Sequence, residues 1–323
     1  MVSKVRNVLI ASKLVDSVKE RAMLPDEDLV YNDEKILEIL NEKLSLDIVD
    51  TIMELNEEHL VYHKELYSNS GTLVIPSRAI GSKLRDLQYY WGGSNALVEM
   101  RRIDLGEVPD YSYGLFPNQV TRFDERSRYV FYVEGDEIKT LGSLSGKYKM
   151  YFHMSPNMIV KETECAKVTA IDKTTGIIQF SELPSEFVNL TECDIIQDKS
   201  PNKILGFDIS VQSVNIAQRT ITLLPESIPD RLVVGDWFCF PETSPYANVP
   251  PELHAVLAQT AAIYILAALG DTENLNNAKS ILKDYMKKAA QKLINNRVEG
   301  ANRKLKSRHG FLKPNSLNRR GMF

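Results

Sequence analysis

Residues 250–270 read PPELHAVLAQTAAIYILAALG, and this stretch decides the class of the fold. Proline at the first helical position and Glu252 in the first turn are helix start signals, and Gly270 is a stop signal. From Ala261 to Leu269 the predicted helix is apolar on every side. Because such a helix must be covered all round, the stretch predicts a buried helix inside a helical domain.

Helical patterns follow this stretch and recur at the start of the chain. A second helix is predicted from Asn274 to about Arg297, antiparallel to the first because only a short turn separates them. At the N-terminus, residues 1–67 repeat apolar positions at the helical period, and a last helix is expected from Ser45 to Leu66. The two ends of the chain are therefore expected to build one helical domain.

Between these helical regions the pattern changes to short strands. Runs of β-branched and aromatic residues bounded by Gly, Pro, Asn or Asp begin at Thr72 and continue to Phe240. Residues 105–127 contain prolines and aromatics without a period, which predicts a long ordered loop. This region is expected to form a large antiparallel β-domain.

A weak internal duplication lies inside the β-region, at an offset of 43 residues. Residues 164–197 and 207–240 each predict a β-hairpin with Asp or Asn at its turn, followed by a strand that begins at Asp194 or Asp236. One interpretation is two copies of a binding unit. The favoured one is two three-stranded meanders that cover each other's apolar faces, because the copies share no chemical residue.

Together these segments predict an α+β fold. Residues 1–70 are expected to supply the N-terminal helices of a helical bundle, and residues 249–300 a C-terminal antiparallel helical hairpin that packs on them. A large antiparallel β-domain, residues 71–248, is expected to be inserted between them. Residues 301–323 are expected to form an extended basic tail.

Composition argues against several classes of protein. The 323 residues are 43% hydrophobic and 25% charged, which is typical of globular proteins rather than disordered ones. Three cysteines are too few for a disulfide framework or a zinc module, which favours a reduced intracellular setting. The longest apolar run, residues 261–269, is shorter than the roughly 20 residues of a spanning helix, so no membrane partner is expected.

Motifs for catalysis or cofactor binding are weak. His59 and His63 are one turn apart on the predicted helix, which is the spacing of two ligands of one metal ion. The residue after His59 is Leu60, however, where a metalloprotease has its catalytic Glu. A metal-dependent enzyme at these histidines stays an alternative. The expectation is a protein without catalysis, bound metal or cofactor.

Charge is distributed unevenly along the chain. The formal net charge of −4 conceals a basic end: residues 279–323 hold 13 Lys and Arg but two acids, which leaves −15 on residues 1–278. The tail is expected to dock on an acidic protein surface, with Phe311 and Leu312 as apolar anchors. The alternatives are a nucleic-acid-binding module that uses the tail on phosphates, and a solvated end.

Three stretches, in this order, resemble the head-to-tail adaptor (neck ring) proteins of tailed bacteriophages, particularly short-tailed ones. Residues 73–87, LVIPSRAIGSKLRDL, are similar to the strand and I-P-x-R-A-x-G-x-x-L-R segment that open the β-domain there. Residues 131–138, FYVEGDEI, resemble the strand-turn-strand F-Y-x-E-G-x-x-I of these proteins. Residues 249–271, with the basic helix and tail that follow, resemble their C-terminal hairpin and portal-contacting extension. The hairpin duplication is larger than in small adaptors of this family. The resemblance is therefore to a ring protein of a larger, crAss-like phage.

The resemblance implies a non-catalytic virion protein of the neck, assembled in the host cytoplasm. It implies a homo-oligomeric ring of about twelve copies that joins the portal protein to other neck or tail proteins. Double-stranded DNA would pass through its lumen without specific binding, because an acidic wall repels phosphate. The residues expected at the subunit interface are Ile263, Leu266, Ala267, Arg78 and Arg85. The tail residues expected to bind the portal are Arg303, Lys304, Lys306, Arg308, Phe311, Lys313, Arg319 and Arg320.

Overall fold

The computed structural model describes residues 9–25, 30–91, 96–108, 129–141 and 144–294. Within them the protein is a mixed α+β structure. Helices lie at both ends of the chain, and between them lie several sheets, one of which closes into a barrel. The α+β class predicted from the sequence is therefore confirmed.

The helices form where the sequence carries helical periods and end signals. Their bounds are α1 Ala11–Ala22, α2 Asp33–Lys43, α3 Val49–Asn56, α4 Pro251–Leu269 and α5 Thr272–Leu293, with a π-helix, Leu44–Ile48, between α2 and α3. Asn32 caps α2 by accepting a hydrogen bond from the Lys35 N–H at 2.9 Å. Gly270 ends α4 in the left-handed conformation, as the stop signal predicted.

The helix α4 is the central element of the helical part. It packs against α1, α2 and α5, and ten of its residues are buried. Its side chains share one apolar core with Leu14 of α1 and Leu40 of α2. Within the all-round apolar stretch 261–269, residues 261, 262, 265 and 266 are buried, but residues 264 and 267–269 are exposed, so the predicted cover on every side is only partly present in the described chain.

One correction concerns the membrane-spanning criterion. Among the described residues, α4 is the one helix that is long and apolar enough to cross a membrane by length and composition alone. The sequence expectation applied the length criterion only to the run 261–269, whereas the whole predicted helix, from Pro251, satisfies it. In the folded chain 56% of the apolar window is buried, as in a core helix.

Two four-stranded sheets follow the N-terminal helices. The first contains, in spatial order, β1 Val61–Ser68, β8 Gly146–Met154, β3 Ala79–Tyr90 and β4 Leu97–Glu99. The second contains β2 Thr72–Val74, β7 Glu137–Thr140, β6 Val130–Glu134 and β5 Arg101–Arg102. The strands β6 and β7 form a hairpin around Gly135. This confirms the strand-turn-strand predicted at residues 131–138.

The helix predicted from Ser45 to Leu66 is wrong in its second half. Helix α3 ends at Asn56, a single 3-10 turn follows over Glu57–Leu60, and residues 61–68 are β1. Strand β1 pairs with β8 over its whole length, from Val61 opposite His153 to Ser68 opposite Gly146. Apolar residues such as Leu66 satisfy both periods, so the long partner strand decides the local structure.

A short parallel pair fastens the helical part to the sheets. Its strands are β9 Met158–Ile159 and β16 Thr243–Ser244. The Asn41 side chain of α2 accepts a hydrogen bond from the Ile159 N–H at 2.7 Å and donates one to the Ile159 carbonyl at 2.9 Å. This amide therefore extends the pairing of β9 onto a helix.

The closed barrel has six antiparallel strands and its own apolar core. In order around the barrel, the strands are β10 Ala166–Asp172, β11 Ile177–Phe180, β14 Thr220–Leu223, β13 Ile204–Asn215, β12 Glu192–Ile196 and β15 Trp237–Cys239. Inside it, the rings of Phe180 and Phe238 meet edge to face at 5.0 Å between centroids. Cys165, Cys193 and Cys239 are buried free thiols.

The connectivity of the barrel is unchanged when the two repeats are exchanged. Each repeat supplies a hairpin, β10–β11 or β13–β14, and a third strand, β12 or β15. The third strands leave their own hairpins: β12 pairs with β13 and β15, and β15 pairs with β10. The prediction of two separate meanders is therefore wrong. Closure into one barrel leaves no free strand edge, which is the physical advantage over two facing meanders.

His254 fastens the start of the described chain to α4. Its ring is buried, Nδ1 accepts from the Leu9 N–H at 3.3 Å, and Nε2 lies 3.3 Å from the Val249 carbonyl oxygen. Both contacts suit a neutral ring with its proton on Nε2. Burial lowers the pKa of His254 below its ordinary value.

Acidification is therefore expected to destabilise the protein through His254. The folded pKa lies below the unfolded one, so this stability is fully present above about pH 6.5 and is lost as the pH falls from there through the folded pKa. Urea unfolding at about pH 7.5 and about pH 5.5 measures it. His254→Gln is expected to flatten the pH dependence. His59→Gln is the matched control, because the His59 side chain is exposed whereas His254 is buried. Identical pH slopes for wild type and His254→Gln would contradict the assignment.

Candidate functional site

The last turns of α4 are the part of the helical core that the described chain leaves uncovered. Tyr264 is 45% exposed and Leu269 is 54% exposed. Ala267 and Ala268, the helix neighbours of Tyr264 at three and four residues, are exposed as well. The ammonium of Lys43 lies 4.8 Å from the centroid of the Tyr264 ring. An apolar helix end on the surface is typical of a contact site for another protein.

The α4 residues predicted at a subunit interface lie at three different depths. Ala267 is exposed, Ile263 is half-buried, and Leu266 is 2% exposed. Leu266 is thus covered by its own chain. Tyr264, which was not predicted at the interface, is exposed where Leu266 is not. The sequence could have indicated this, because a tyrosine in an otherwise aliphatic stretch favours a position with its hydroxyl in water.

Arg78 lies at the centre of a buried ionic network between the sheets and the barrel. It occupies the turn between β2 and β3, and its side chain is 3% exposed. Its two Nη atoms donate to Asp194, with Nη1–Oδ1 at 3.1 Å and Nη2–Oδ2 at 2.5 Å. The same nitrogens donate to Asp208 Oδ1 at 3.1 Å and Asn157 Oδ1 at 2.8 Å. This fork-shaped pairing is the strong form of an arginine–carboxylate contact.

Asp194 of β12 is fully buried and collects donors from four parts of the chain. Besides Arg78, it accepts from Asn157 Nδ2 at 2.7 Å and from the backbone N–H groups of Asp208 and Glu242 at 3.0 Å. Burial alone would lower the pKa of Arg78, but the hydrogen bonds and charge of Asp194 outweigh it and raise that pKa. The network therefore joins the β2–β3 turn to the barrel with its charges intact.

The network gives Arg78 a role inside the subunit. All the partners described above belong to its own chain, and Lys64 of β1 adds an ion pair to Asp208 at 3.3 Å. Sequence reasoning missed Asp194 and Asn157. The signal for Asp194 was an acid inside the apolar run 193–196, because carboxylates in buried strands require a cationic partner.

Arg85, the other arginine predicted at the interface, lies near the surface. Its side chain is 29% exposed, and Nη2 lies 2.5 Å from Oε1 of Glu58. A longer contact, 3.9 Å, joins Nε to Asp86. The Glu58 hydrogen bond raises the pKa of Arg85. This pair links β3 to the 3-10 turn before β1, and it is open to solvent, unlike Arg78.

The two histidines of the metal-site alternative do not share a helix. His59 lies in the 3-10 turn and His63 in β1, where its ring centroid is 5.6 Å from that of Tyr151. The predicted helix that would place the two histidines one turn apart, on which that alternative depended, is therefore wrong. In the part of the chain that the structure describes, no group of three or more His, Cys, Asp or Glu side chains is placed to hold a metal ion.

The eight tail residues predicted to bind the portal, Arg303 to Arg320, lie outside the described residues. The described helix that leads toward them, α5, exposes a basic surface. Its lysines form no ion pair with any other described residue. They are Lys279, Lys283, Lys287, Lys288 and Lys292. The charge asymmetry of the sequence is therefore present on a folded element as well as in the tail.

A cleft of about 280 Å³ separates the helical part from the Arg78 turn. Ser45 and Val49 line one wall, and Ser77, Asn157 and Glu242 line the other. Its polar side chains carry hydroxyls, an amide, a carboxylate and the Arg78 guanidinium, which suit hydrogen bonding rather than nucleophilic chemistry.

No protein-family model and no curated protein matches the chain.

Proposed function

We propose that this chain is a structural subunit of a homo-oligomeric ring that joins the portal of a phage capsid to the tail and leaves a channel for DNA. The observation that carries the proposal is the uncovered end of α4, where Tyr264, Ala267 and Ala268 are exposed beside a buried core helix. A ring supplies the missing cover, because every copy places the same surface against a neighbour.

The architecture fits that role. In this proposal the N-terminal helices and the α4–α5 hairpin form a helical bundle, into which the sheets and the barrel are inserted. Within the inserted part, the buried Arg78–Asp194 pair joins the β2–β3 turn to the barrel. Sheets and barrel that are joined in this way suit a subunit that holds a portal on one side and other neck or tail proteins on the other.

Charge supports the same assignment. The body is acidic, which suits the wall of a channel through which DNA slides, and the tail is basic, which suits docking on the portal. The protein would then reside in the neck of the virion after assembly in the host cytoplasm.

Removal of the tail tests the portal contact. We expect the chain lacking residues 301–323 to fold normally, since the core of the helical part is complete without it, and to lose attachment to portal-containing heads. Sedimentation of heads with bound protein measures attachment, and circular dichroism checks the fold. A control with Arg219→Gln and Lys173→Gln, distant charges on the barrel, should attach normally. Normal attachment by the truncated chain would refute the tail assignment.

The unpaired lysines of α5 favour one second candidate, a nucleic-acid-binding module. Such a module would bind DNA without sequence preference, and its affinity would fall steeply with salt. Binding measured at two salt concentrations, with and without the tail, separates the two. Electron-microscopy class averages that show rings on portals, with no salt-steep DNA binding, support the adaptor.

A further inference from the structure

Some charges on the helical surface are paired within the subunit. Lys19 lies 2.7 Å from Asp33, Lys35 lies 2.7 Å from Glu38, and Lys161 lies 2.8 Å from Glu34. Other helical charges have no ion-pair partner among the described residues, and two helical ridges are built from such charges. Each carries one exposed aliphatic side chain and two charges of one sign, and the signs of the two ridges are opposite.

The acidic ridge consists of Leu46, Asp50 and Glu54. These residues follow one another at four-residue spacing along the π-helix and α3, so they lie on one side. Leu46 is 59% exposed, and both carboxylates are exposed. Neither carboxylate has an ion-pair partner among the residues that the structure describes.

The basic ridge consists of Ile281, Lys288 and Lys292 on α5. They share a helix side with Tyr285, at intervals of four, three and four residues. The Tyr285 ring lies 5.3 Å from the Arg21 guanidinium of α1, so this side of α5 is the one turned toward α1. Ile281 is 44% exposed.

The two ridges are opposite in charge and can lie alongside each other. At a rise of about 1.5 Å per residue, Glu54 lies about 12 Å from Leu46, while Lys288 lies about 11 Å and Lys292 about 17 Å from Ile281. Laid side by side in parallel, Leu46 meets Ile281 while Glu54 meets Lys288. Burial of two aliphatic side chains then adds to the attraction of the opposite charges.

We propose that the acidic ridge of one copy docks on the basic ridge of a second copy. The inference rests on the proposed ring function and names a contact between copies in addition to the one that covers the exposed end of α4. Because the ridges belong to different helices, a docked pair leaves one acidic and one basic ridge free for further copies. Such a head-to-tail contact generates a ring when its rotation closes.

Charge reversal on the full-length chain tests the contact. Lys288→Glu with Lys292→Glu is expected to weaken self-association by at least about tenfold, and so is Asp50→Lys with Glu54→Lys. The matched control is Lys279→Glu with Lys283→Glu, which makes the same change of charge on the opposite side of α5 and should have little effect. Sedimentation velocity at low ionic strength measures association.

Mixing the variants gives the decisive result. The chain with Lys288→Glu and Lys292→Glu has two acidic ridges, and the chain with Asp50→Lys and Glu54→Lys has two basic ridges. Each alone should stay monomeric, and the mixture should assemble. A mixture that stays monomeric, or a control that loses assembly as completely as the ridge variant, would overturn the proposal.

A cysteine pair traps the contact if it is weak. The three native cysteines are buried, so a chain with Glu54→Cys and Lys288→Cys reports on the new contact alone. Under oxidation it should give covalent ladders, and each single variant should not. Absence of ladders from a chain that still attaches to heads would overturn the docking and leave the proposed function standing. If the wild-type chain itself failed to attach to heads, the proposed function would be refuted instead.

Discussion

Replacing Arg78 with alanine is expected to destabilise the folded protein by about 3–5 kcal/mol. The carboxylate of Asp194 is fully buried, and the variant leaves it without its cation. Asn157 and two backbone N–H groups would still donate to it, but neutral donors do not replace a charge in the interior. Arg78→Lys is expected to cost less, because the charge remains while the forked hydrogen bonds are lost.

Arg85 supplies the matched control for this prediction. Its ion pair with Glu58 is open to solvent, so Arg85→Ala is expected to cost less than about 1 kcal/mol. Urea unfolding, followed by far-ultraviolet circular dichroism, gives both free energies. If the two arginine variants lost equal stability, the buried network would not contribute more to the free energy of unfolding than the exposed pair, and the prediction would be contradicted.

Replacing Gly176 with alanine is expected to cost at least about 3 kcal/mol. Gly176 has a φ of +76°, and a Cβ there would lie 2.1 Å from the Leu223 carbonyl oxygen. The Leu223 N–H donates to the Gly176 carbonyl at 2.9 Å, so the contact belongs to the seam between the two hairpins of the barrel. The added methyl group therefore separates β11 from β14.

Gly135 separates backbone strain from steric clash in this test. It also has a positive φ, +66°, but nothing lies within 4 Å of its Cβ position. Gly135→Ala is expected to cost about 1–2 kcal/mol, which is the conformational penalty alone. Thermal unfolding of both variants measures the difference. Equal losses would mean that the Leu223 carbonyl moves away without cost.

The sequence predicted the helical part well where a single period dominates. The stretch at residues 250–270 has start and stop signals and no competing strand pattern, and α4 has the expected start and end. Residues 61–68 were predicted wrongly because Leu66 and its neighbours satisfy both the helical and the strand period. The choice depends on β8, a strand about 80 residues further along the chain, which no local pattern reveals.

The candidate site was predictable only in part for a similar reason. The resemblance implied that Arg78 and Ala267 lie at a subunit interface, but their exposure depends on what packs around them. Arg78 proved to face Asp194, which is 116 residues away in sequence. Ala267 stayed exposed because α4 extends beyond the cover of its neighbours. Long-range partners of this kind are set by tertiary structure rather than by local spacing.

The exchange of third strands in the barrel has a consequence for biosynthesis. As the nascent chain leaves the ribosome, β10, β11 and β12 emerge first, yet β12 finds neither of its neighbours, β13 and β15, until residues 204–239 are made. The first repeat alone thus exposes strand edges that invite aggregation. Both repeats must be synthesised before either can complete its strand pairing, so the barrel is expected to fold and unfold as one unit.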